Sequence, residues 1–315
     1  MSLEQIIATP FGYIMDGLLR LTSNYGVTVI LFAIIVQLVM YPINRKNRSN
    51  AEKKRRLKPI VAQIRKQYKD NPDKQTDEIA SLYDREKLSL AGSFILNIIP
   101  FFILIPIFQA VAQPITYIFH ETPETASAII NAIYEEAPEV FSGGYHQVAA
   151  ISNIRDFAEI VKEKVPEVSA RTLEGLNYGF LGLDLAIVPG DLVLGKGAWA
   201  WDWAHIGAIS LPIIYYIRRI YLLIAGMVRS AIRYSKEKKQ AAADNLLAPP
   251  RPKIPFLDLF FLVLSITVLF TVPVGMNLYW LACGLVAAAL KKLEPKKAAA
   301  PAVAEMAAEV SDAEQ

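Results

Sequence analysis

The stretch that decides the fold lies near the start of the chain and is apolar enough to enter a lipid bilayer. Residues 27–44 read Val27-Thr28-Val29-Ile30-Leu31-Phe32-Ala33-Ile34-Ile35-Val36-Gln37-Leu38-Val39-Met40-Tyr41-Pro42-Ile43-Asn44. As an α-helix, a run of this length crosses the roughly 30 Å of hydrocarbon in a membrane. One amide, Gln37, lies inside the run, and a dense basic segment follows from Arg45 to Lys69. The pattern predicts a spanning helix with one polar side chain that continues into a basic helix.

Apolar residues are gathered into five blocks of this kind along a chain that has 315 residues, is 53% hydrophobic and contains one cysteine. This composition excludes a disordered chain and a small disulfide-stapled domain. We therefore predict an all-α polytopic membrane protein with a five-helix transmembrane core. The predicted organisation is an outer-interface amphipathic helix at 1–24, spans at 25–43, 91–117, 204–228, 255–272 and 273–290, a cytosolic basic helical hairpin at 44–90, an extracytoplasmic loop region at 118–203, a cytosolic loop at 229–254 and a cytosolic disordered tail at 291–315.

The distribution of charge predicts the orientation of these spans. Residues 44–90 carry a net charge of +7 and residues 229–254 carry +5, whereas residues 118–200 carry −7. Basic loops mark the cytoplasmic side of a membrane, although long loops follow this rule poorly. The two shorter basic segments therefore decide the orientation, and they predict an N-terminus outside and a C-terminus in the cytoplasm.

The first basic segment has the pattern of two antiparallel helices joined by the turn residues Asp70 to Asp73. The apolar faces consist of Leu57, Ile60, Val61, Ile64 and Tyr68 on the first helix, and Ile79, Leu82 and Tyr83 on the second. Basic side chains occupy the other faces of the first helix, namely Arg55, Arg56, Lys58, Arg65 and Lys66. Two interpretations stay open: a solvated hairpin that serves topology alone, or a contact surface for anionic lipid headgroups, ribosomal RNA or a nascent chain.

Polar side chains interrupt the predicted spans, and each is costly in hydrocarbon unless it faces protein or water. They are Gln37, Asn97, Gln109, Arg218, Arg219, Thr267 and Asn277. The two arginines either extend towards the cytosolic interface or line a wet cavity. Taken together, the polar groups favour a partly hydrated groove.

No set of residues has the spacing of a catalytic or metal site. His120, His146 and His205 are far apart in the sequence. Residues 190–196 fit the first seven positions of a phosphate-binding loop, but Gly197 stands where a hydroxyl should hold magnesium. We therefore expect no enzymatic activity, no cofactor and no metal.

Several short motifs, in order along the chain, resemble the YidC/Oxa1/Alb3 membrane protein insertases, and most nearly their short, Gram-positive-like bacterial form. Each motif is weak alone, but the ordered set is specific, and it covers about residues 20–110 and 178–292. The motifs are Leu38-Val39-Met40-Tyr41-Pro42, Leu57-Lys58-Pro59, Asn97-Ile98-Ile99-Pro100 with Ile105-Pro106-Ile107-Phe108, Phe180-Leu181-Gly182-Leu183-Asp184-Leu185, Leu211-Pro212-Ile213, and Pro273-Val274-Gly275 with Leu278-Tyr279-Trp280.

The resemblance implies a hydrophilic groove that is open to the cytosol and to lipid, closed to the outside, and independent of nucleotide hydrolysis. Such a groove receives polar parts of nascent membrane proteins and releases their spans into the bacterial cell membrane, alone or beside the Sec translocon. The implied partners are nascent membrane proteins, anionic lipid headgroups, the translocon and the ribosome. The implied groove residues are Gln37, Ala33, Asn97, Arg218, Arg219, Asn277 and Trp280.

The chain departs from the family pattern at two places. The characteristic groove arginine of the family falls at position 37, which is Gln here, and Ala33 stands where relatives often carry a hydroxyl. We hypothesise that Arg218 or Arg219 supplies the missing charge from another span. The extracytoplasmic loop is also longer than a short Gram-positive-type member would have.

Two alternatives to a general insertase stay open. The first is a specialised paralogue that assembles a few membrane complexes, which Gln37 and the enlarged loop would fit. The second is a small-solute transporter, which is disfavoured because the sequence shows no internal repeat of the kind that transporters contain.

Overall fold

The structure is a computed structural model that describes residues 3–88, 90–141, 143–194, 202–243, 251–252 and 256–294. Its described elements are almost all helices, so the prediction of an all-α polytopic membrane protein is confirmed. The helices are α1 (Leu3–Thr22), α2 (Tyr25–Gln67), α3 (Pro72–Arg85), α4 (Leu90–Ala112), α5 (Pro114–Tyr117), α6 (Pro123–Glu136), α7 (His146–Asn153), α8 (Ala158–Lys164), α9 (Ala170–Leu173), α10 (Pro189–Val193), α11 (Trp203–Ala243), α12 (Phe256–Thr271) and α13 (Val274–Lys292), with a 3₁₀ turn at Pro138–Phe141. The strands β1 (Gly179–Phe180) and β2 (Leu183–Asp184) pair antiparallel.

Three of these helices are long and apolar enough to cross a membrane, namely α2, α11 and α13. Two shorter apolar stretches, Phe102–Ala112 in α4 and Asp258–Thr271 in α12, lie where the other two spans are predicted. Helix α2 has 43 residues, which is about 65 Å of α-helix and therefore far more than the hydrocarbon thickness. Its second half is the first helix of the predicted basic hairpin.

The chain divides into two compact units, which are described separately. The first unit comprises residues 1–39, 101–219 and 259–290. The second comprises residues 40–100, 220–258 and 291–315.

In the second unit, the end of α2 packs against α3 as an αα-hairpin, as the sequence predicts. Asn71 caps α3 by accepting a hydrogen bond from the backbone N–H of Lys74 at 3.0 Å, and Pro72 occupies the first helical turn, where its missing N–H costs nothing. Lys53 donates to the carbonyl oxygen of Glu86 at 2.7 Å and ties the end of the hairpin to α2. The buried core consists of Leu57, Ile60, Ile64, Leu82 and Leu88, flanked by Val61, Tyr68, Ile79 and Tyr83.

In the first unit, a sharp break separates α1 from α2. Ser23 adopts a left-handed backbone with φ of 50°, and its N–H bonds to the carbonyl of Leu19 at 2.8 Å, which ends α1. Asn24 then caps α2 by accepting from the N–H of Val27 at 3.0 Å. The fully buried Thr28 hydroxyl lies 2.8 Å from that of Thr22. These local bonds fix the angle at which the chain enters α2.

Helix α1 has two distinct faces. One face packs into the protein through Ala8, Gly12, Met15 and Asp16. The other exposes large apolar side chains, namely Ile6, Ile7, Tyr13, Ile14 and Leu21. An exposed apolar face is typical of a helix that lies along a membrane surface, and the position of α1 there stays a prediction.

Residues 114–177 form a small helical subdomain of the first unit, which we call the cap. The sequence predicts two surface helices there, at 124–140 and 153–168, separated by a break at 142–144. The structure instead divides the region into α6, a 3₁₀ turn, α7, α8 and α9, and Ser142 lies outside the described residues. Fully buried apolar side chains form its core, namely Ile115, Ile118, Ile129, Ile133, Ile151 and Val161.

Candidate functional site

The amide of Gln37, which marks the first predicted span, contacts α13 inside the first unit. Its half-buried side chain forms a hydrogen bond with the thiol of Cys283, which also bonds with the hydroxyl-bearing side chain of Tyr279. The Tyr279 ring in turn packs 6.1 Å from the ring of Phe32, centroid to centroid. Gln37 is therefore a polar group with a protein partner, as a polar group in a span requires.

Arg218 meets the same part of α13 from α11. Its Nη2 donates to the carbonyl oxygen of Gly284 at 2.7 Å. A Cβ atom at position 284 would overlap the guanidinium group, so a larger residue there would require the Arg218 side chain to shift. Because Gly284 follows Cys283 directly, α13 carries the contacts of Gln37 and Arg218 on consecutive residues.

The charge of Arg218 has no counter-ion within the described part of the chain. No Asp or Glu side chain there forms an ion pair with it. A guanidinium has five N–H donors, and its bond to one carbonyl leaves most of them available. Arg219 is also half-buried, but it shares no such contact with α13. The structure thus distinguishes the two adjacent arginines.

The other predicted groove residues are in different environments. Ala33 and Asn277 are fully buried, and Asn277 donates to the carbonyl oxygen of Leu269 at 3.0 Å, across the turn between α12 and α13. Both therefore lie inside packed protein rather than on an accessible wall. Trp280 is half-buried beside Tyr215, with ring centroids 6.4 Å apart. Asn97 belongs to α4, but its side chain lies outside the described residues.

The basic residues predicted on the hairpin fall into two groups. Arg55 pairs with Glu237 of α11 at 3.9 Å, and Arg56 pairs with Glu52 at 3.4 Å. The side chains that remain exposed are Lys58, Arg65 and Lys66. Within the second unit, these three are the predicted contacts that the hairpin leaves to solvent.

Sequence reasoning missed the roles of Cys283 and Gly284. The sequence shows only that the chain contains one cysteine, whereas in the structure its thiol is a partner of Gln37. Gly284 gives no signal in the sequence beyond a small residue within a span. Its role depends on the approach of Arg218, which is 66 positions away in the chain.

A buried ionic cluster joins α1 to the cap. The side chain of Asp16 is 8% exposed and forms ion pairs with Arg20 at 3.1 Å and with Arg171 of α9. Nε2 of His120 lies 3.3 Å from the same carboxylate, and the His120 ring stacks on Tyr13 with centroids 4.0 Å apart. Burial raises the pKa of the Asp16 carboxyl, but the hydrogen bonds from Arg171 and Arg20 outweigh it and place this pKa below its ordinary value of 3.8.

This cluster predicts a loss of stability in acid. A carboxyl whose pKa is lowered by folding stabilises the folded protein above the unfolded pKa of about 3.9 and loses that contribution as the pH falls further. We expect protection of the cap from protease, measured in detergent between pH 7 and pH 3, to fall below about pH 4. Asp16→Asn should make the cap easier to cleave at pH 7, because loss of a charged hydrogen bond lowers the free energy of unfolding by about 1–3 kcal/mol. The same change should remove the loss of protection below about pH 4.

The matched control for this experiment is Asp156→Asn, which removes an exposed carboxylate from the same cap. It should leave both the protection at pH 7 and the acid transition unchanged. An Asp16→Asn protein with the wild-type pH profile would show that the cluster contributes nothing to holding the cap on α1.

In the part of the chain that the structure describes, no group of three or more His, Cys, Asp or Glu side chains is placed to hold a metal ion.

Comparison with known proteins gives relatives that share one name. A membrane protein insertase YidC of Syntrophobacter fumaroxidans is 32% identical over 104 residues, which is 33% of this chain and 18% of that protein. The proteins of the same name from Granulibacter bethesdensis and Buchnera aphidicola are 32% identical over 102 residues and 33% identical over 105 residues, and the matches cover 32% and 33% of this chain. These matches cover 17% and 19% of the two relatives, so the chain aligns with less than a fifth of each protein. No solved structure matches the chain.

The family comparison covers far more of the chain. The family model of the 60Kd inner membrane protein matches residues 17–297, which include all of the predicted spans. This match agrees with the resemblance to the YidC/Oxa1 family that the motifs carry. The family match and the long apolar helices show an integral membrane protein. The chain belongs to the 60Kd inner membrane protein family.

Proposed function

We propose that this protein is a membrane protein insertase and chaperone that receives polar parts of nascent membrane proteins in a hydrophilic groove and releases their spans into the bilayer. The observation that carries the proposal is the pair formed by Gln37 and Arg218, which meet α13 at consecutive residues, in a chain of this family. Neither group would be placed in hydrocarbon without a function or a partner, because both are costly there.

The groups on α13 suggest how such a groove lowers the barrier to insertion. A polar segment that crosses the bilayer loses its hydration, which costs several kcal/mol per unsatisfied group. A half-buried amide and an arginine that has no counter-ion among the described residues would replace part of that hydration. An apolar span then leaves for the lipid because burial of apolar surface is favourable. No chemical step and no nucleotide hydrolysis are part of this proposal.

The cation would select the incoming chain by charge. Arg218 supplies the positive charge that the family pattern places at position 37, and it would attract acidic segments of a substrate. In this arrangement Gln37 keeps position 37 polar, and Arg218 supplies the positive charge.

The proposed orientation puts the basic hairpin in the cytosol and the cap outside, in a bacterial cell membrane. The exposed Lys58, Arg65 and Lys66 would then face anionic lipid headgroups, a ribosome or a nascent chain, and the protein would act alone or beside the Sec translocon. Labelling of single cysteines placed in the hairpin and in the cap with an impermeant reagent on intact cells tests this orientation.

Complementation tests the insertase function directly. Cells depleted of their native insertase receive the full chain, and the insertion of a single-span substrate with a short polar tail is measured by protease protection. Rescue of growth and insertion supports a general insertase. Rescue of neither, with the protein stably present in the membrane, would favour the specialised paralogue, for which the folded cap is the distinguishing observation.

The charge of Arg218 makes a specific prediction for the same assay. Arg218→Gln should reduce insertion of a substrate with an acidic tail by roughly tenfold, because a charged hydrogen bond contributes about 1.5 kcal/mol or more. A neutral-tailed substrate should be affected much less, and the Gln37→Arg change should restore insertion in the Arg218→Gln protein. The control is Arg219→Gln, which removes an arginine that lacks the contact with Gly284.

The two substrates separate charge from packing. An equal loss for acidic and neutral tails would show that Arg218 acts by holding α11 to α13 and would overturn its proposed role in selection.

A further inference from the structure

Residues 178–190, which we call the strap, close one end of the helices in the first unit. This is the end at which α2, α11 and α13 begin and α12 finishes. The strap includes the β1–β2 hairpin, whose two turn residues Leu181 and Gly182 both have positive φ, at 51° and 80°. Nε1 of Trp203 donates to the carbonyl oxygen of Leu181 at 3.0 Å and fixes the turn at the start of α11.

Side chains of the strap pack against glycines near the ends of α2 and α11. A Cβ atom at Gly26 of α2 would overlap the ring of Phe180, and a Cβ atom at Gly207 of α11 would overlap the side chain of Leu183. On the strap itself, a Cβ at Gly190 would lie 2.5 Å from the carbonyl oxygen of Phe270 in α12. The strap therefore packs closely against three different helices at these positions.

Backbone hydrogen bonds connect the strap to a fourth helix, α13. The N–H groups of Val274 and Gly275, which begin α13 and have no partner within the helix, donate to the strap carbonyls of Ile187 at 2.8 Å and Leu185 at 2.9 Å. The strap therefore takes the place that water would otherwise occupy at this helix end.

Two buried tyrosines meet at this end of the helices, Tyr178 of the strap and Tyr25 of α2. Tyr25 is 1% exposed and Tyr178 is 5% exposed, and their ring centroids are 4.6 Å apart. Neither hydroxyl has a hydrogen-bond partner among the described residues. The two packed rings fill the space between the start of α2 and the strap.

From these contacts we infer that the strap is the permeability barrier of the protein: it seats apolar side chains in glycine sockets and keeps water and small ions from crossing through the polar interior. The inference rests on the hydrated interior of the proposed function, but it assigns a separate task to a separate segment. A groove that admits polar chain segments would conduct protons or ions if both of its ends were open.

The test is ion flux through the full-length chain reconstituted in liposomes that contain a pH-sensitive dye. The double change Phe180→Ala and Leu183→Ala removes the two strap side chains that pack against Gly26 and Gly207. It introduces no larger side chain, and it should raise proton flux several-fold over the wild type. The impermeant labelling of Cys283 from the strap side should rise in parallel. The control change is Leu181→Ala, which removes a strap side chain that is 79% exposed and leaves the sockets filled.

A second pair of variants changes glycines of α11 instead of residues of the strap. Gly207→Ala should displace Leu183 and raise flux, whereas Gly226→Ala on the same helix meets nothing within 4 Å and should not. If Gly207→Ala does not fold, the alanine variants of the strap still decide the question. Wild-type flux and labelling in a folded Phe180→Ala, Leu183→Ala protein would overturn the barrier.

The insertion assay separates this inference from the proposed function. Higher flux in a chain that fails to complement would support the barrier and reject the insertase. Normal insertion with unchanged flux would reject the barrier alone.

Discussion

Replacement of Gly12 by alanine is expected to detach α1 from the cap. Gly12 is buried where α1 crosses α5, and a Cβ atom there would overlap the backbone carbonyl of Tyr117. A backbone oxygen cannot rotate away as a side chain can, so the helices must separate. Overpacking of this kind costs about 1–3 kcal/mol and sometimes more. The loss should appear as a lower midpoint of thermal unfolding in detergent and as earlier protease cleavage between α1 and α2.

The same helix provides the control for this prediction. Gly17 is exposed, and a Cβ atom there meets nothing within 4 Å. Alanine is a better helix former than glycine by about 1 kcal/mol, so Gly17→Ala should stabilise α1 slightly. The two identical substitutions, five positions apart, should therefore act in opposite directions. Equal effects at both positions would mean that the close approach of α1 to α5 does not contribute to stability.

Truncation of Ile60 to alanine is expected to unfold the basic hairpin. Ile60 is 1% exposed at the centre of the core that joins α2 to α3. Truncation of a buried isoleucine to alanine costs about 2–5 kcal/mol, which is large beside the roughly 5–15 kcal/mol that is typical of a whole domain. Limited proteolysis of the full-length protein should then cut at the turn after Gln67 much faster than in the wild type.

Ile79→Ala gives the comparison for the hairpin. Ile79 packs on the same core but is only half-buried, so its truncation should accelerate cleavage less. If Ile60→Ala and Ile79→Ala were cleaved at the wild-type rate, the hairpin would owe its stability to contacts outside this core, such as the bond from Lys53 to Glu86.

Periodicity predicts the hairpin well because its contacts are local. The apolar side chains at 57, 60, 61, 64 and 68 share one helix face in the sequence, and the structure packs them together with those at 79, 82 and 83. Asn71 and Pro72 likewise act within the turn that they form. Spacing fixes such features because a helix repeats every 3.6 residues whatever surrounds it.

The candidate site is less predictable because its contacts join distant parts of the chain. The sequence identifies Gln37 and Arg218 as polar groups in spans, but it does not show that both meet α13 at Cys283 and Gly284. It also gives no way to choose between Arg218 and Arg219. The pairing of Asp16 with Arg171 is of the same kind, since only the folded cap brings α9 to α1. Long-range packing decides these contacts, and no local pattern encodes it.

The carbonyl groups that the strap offers to α13 also shape the electrostatic field inside the first unit. The N-terminus of a helix carries about half a positive charge and ordinarily attracts anions through its free N–H groups. At α13 the N–H groups of Val274 and Gly275 are already bound to Ile187 and Leu185. An acidic segment that enters the protein would therefore find little attraction at this helix end and more at the guanidinium of Arg218, roughly 15 Å further along the helix axis. Under the proposed function, the charge of Arg218 would hold an incoming acidic segment part of the way across the bilayer, before that segment reached the strap.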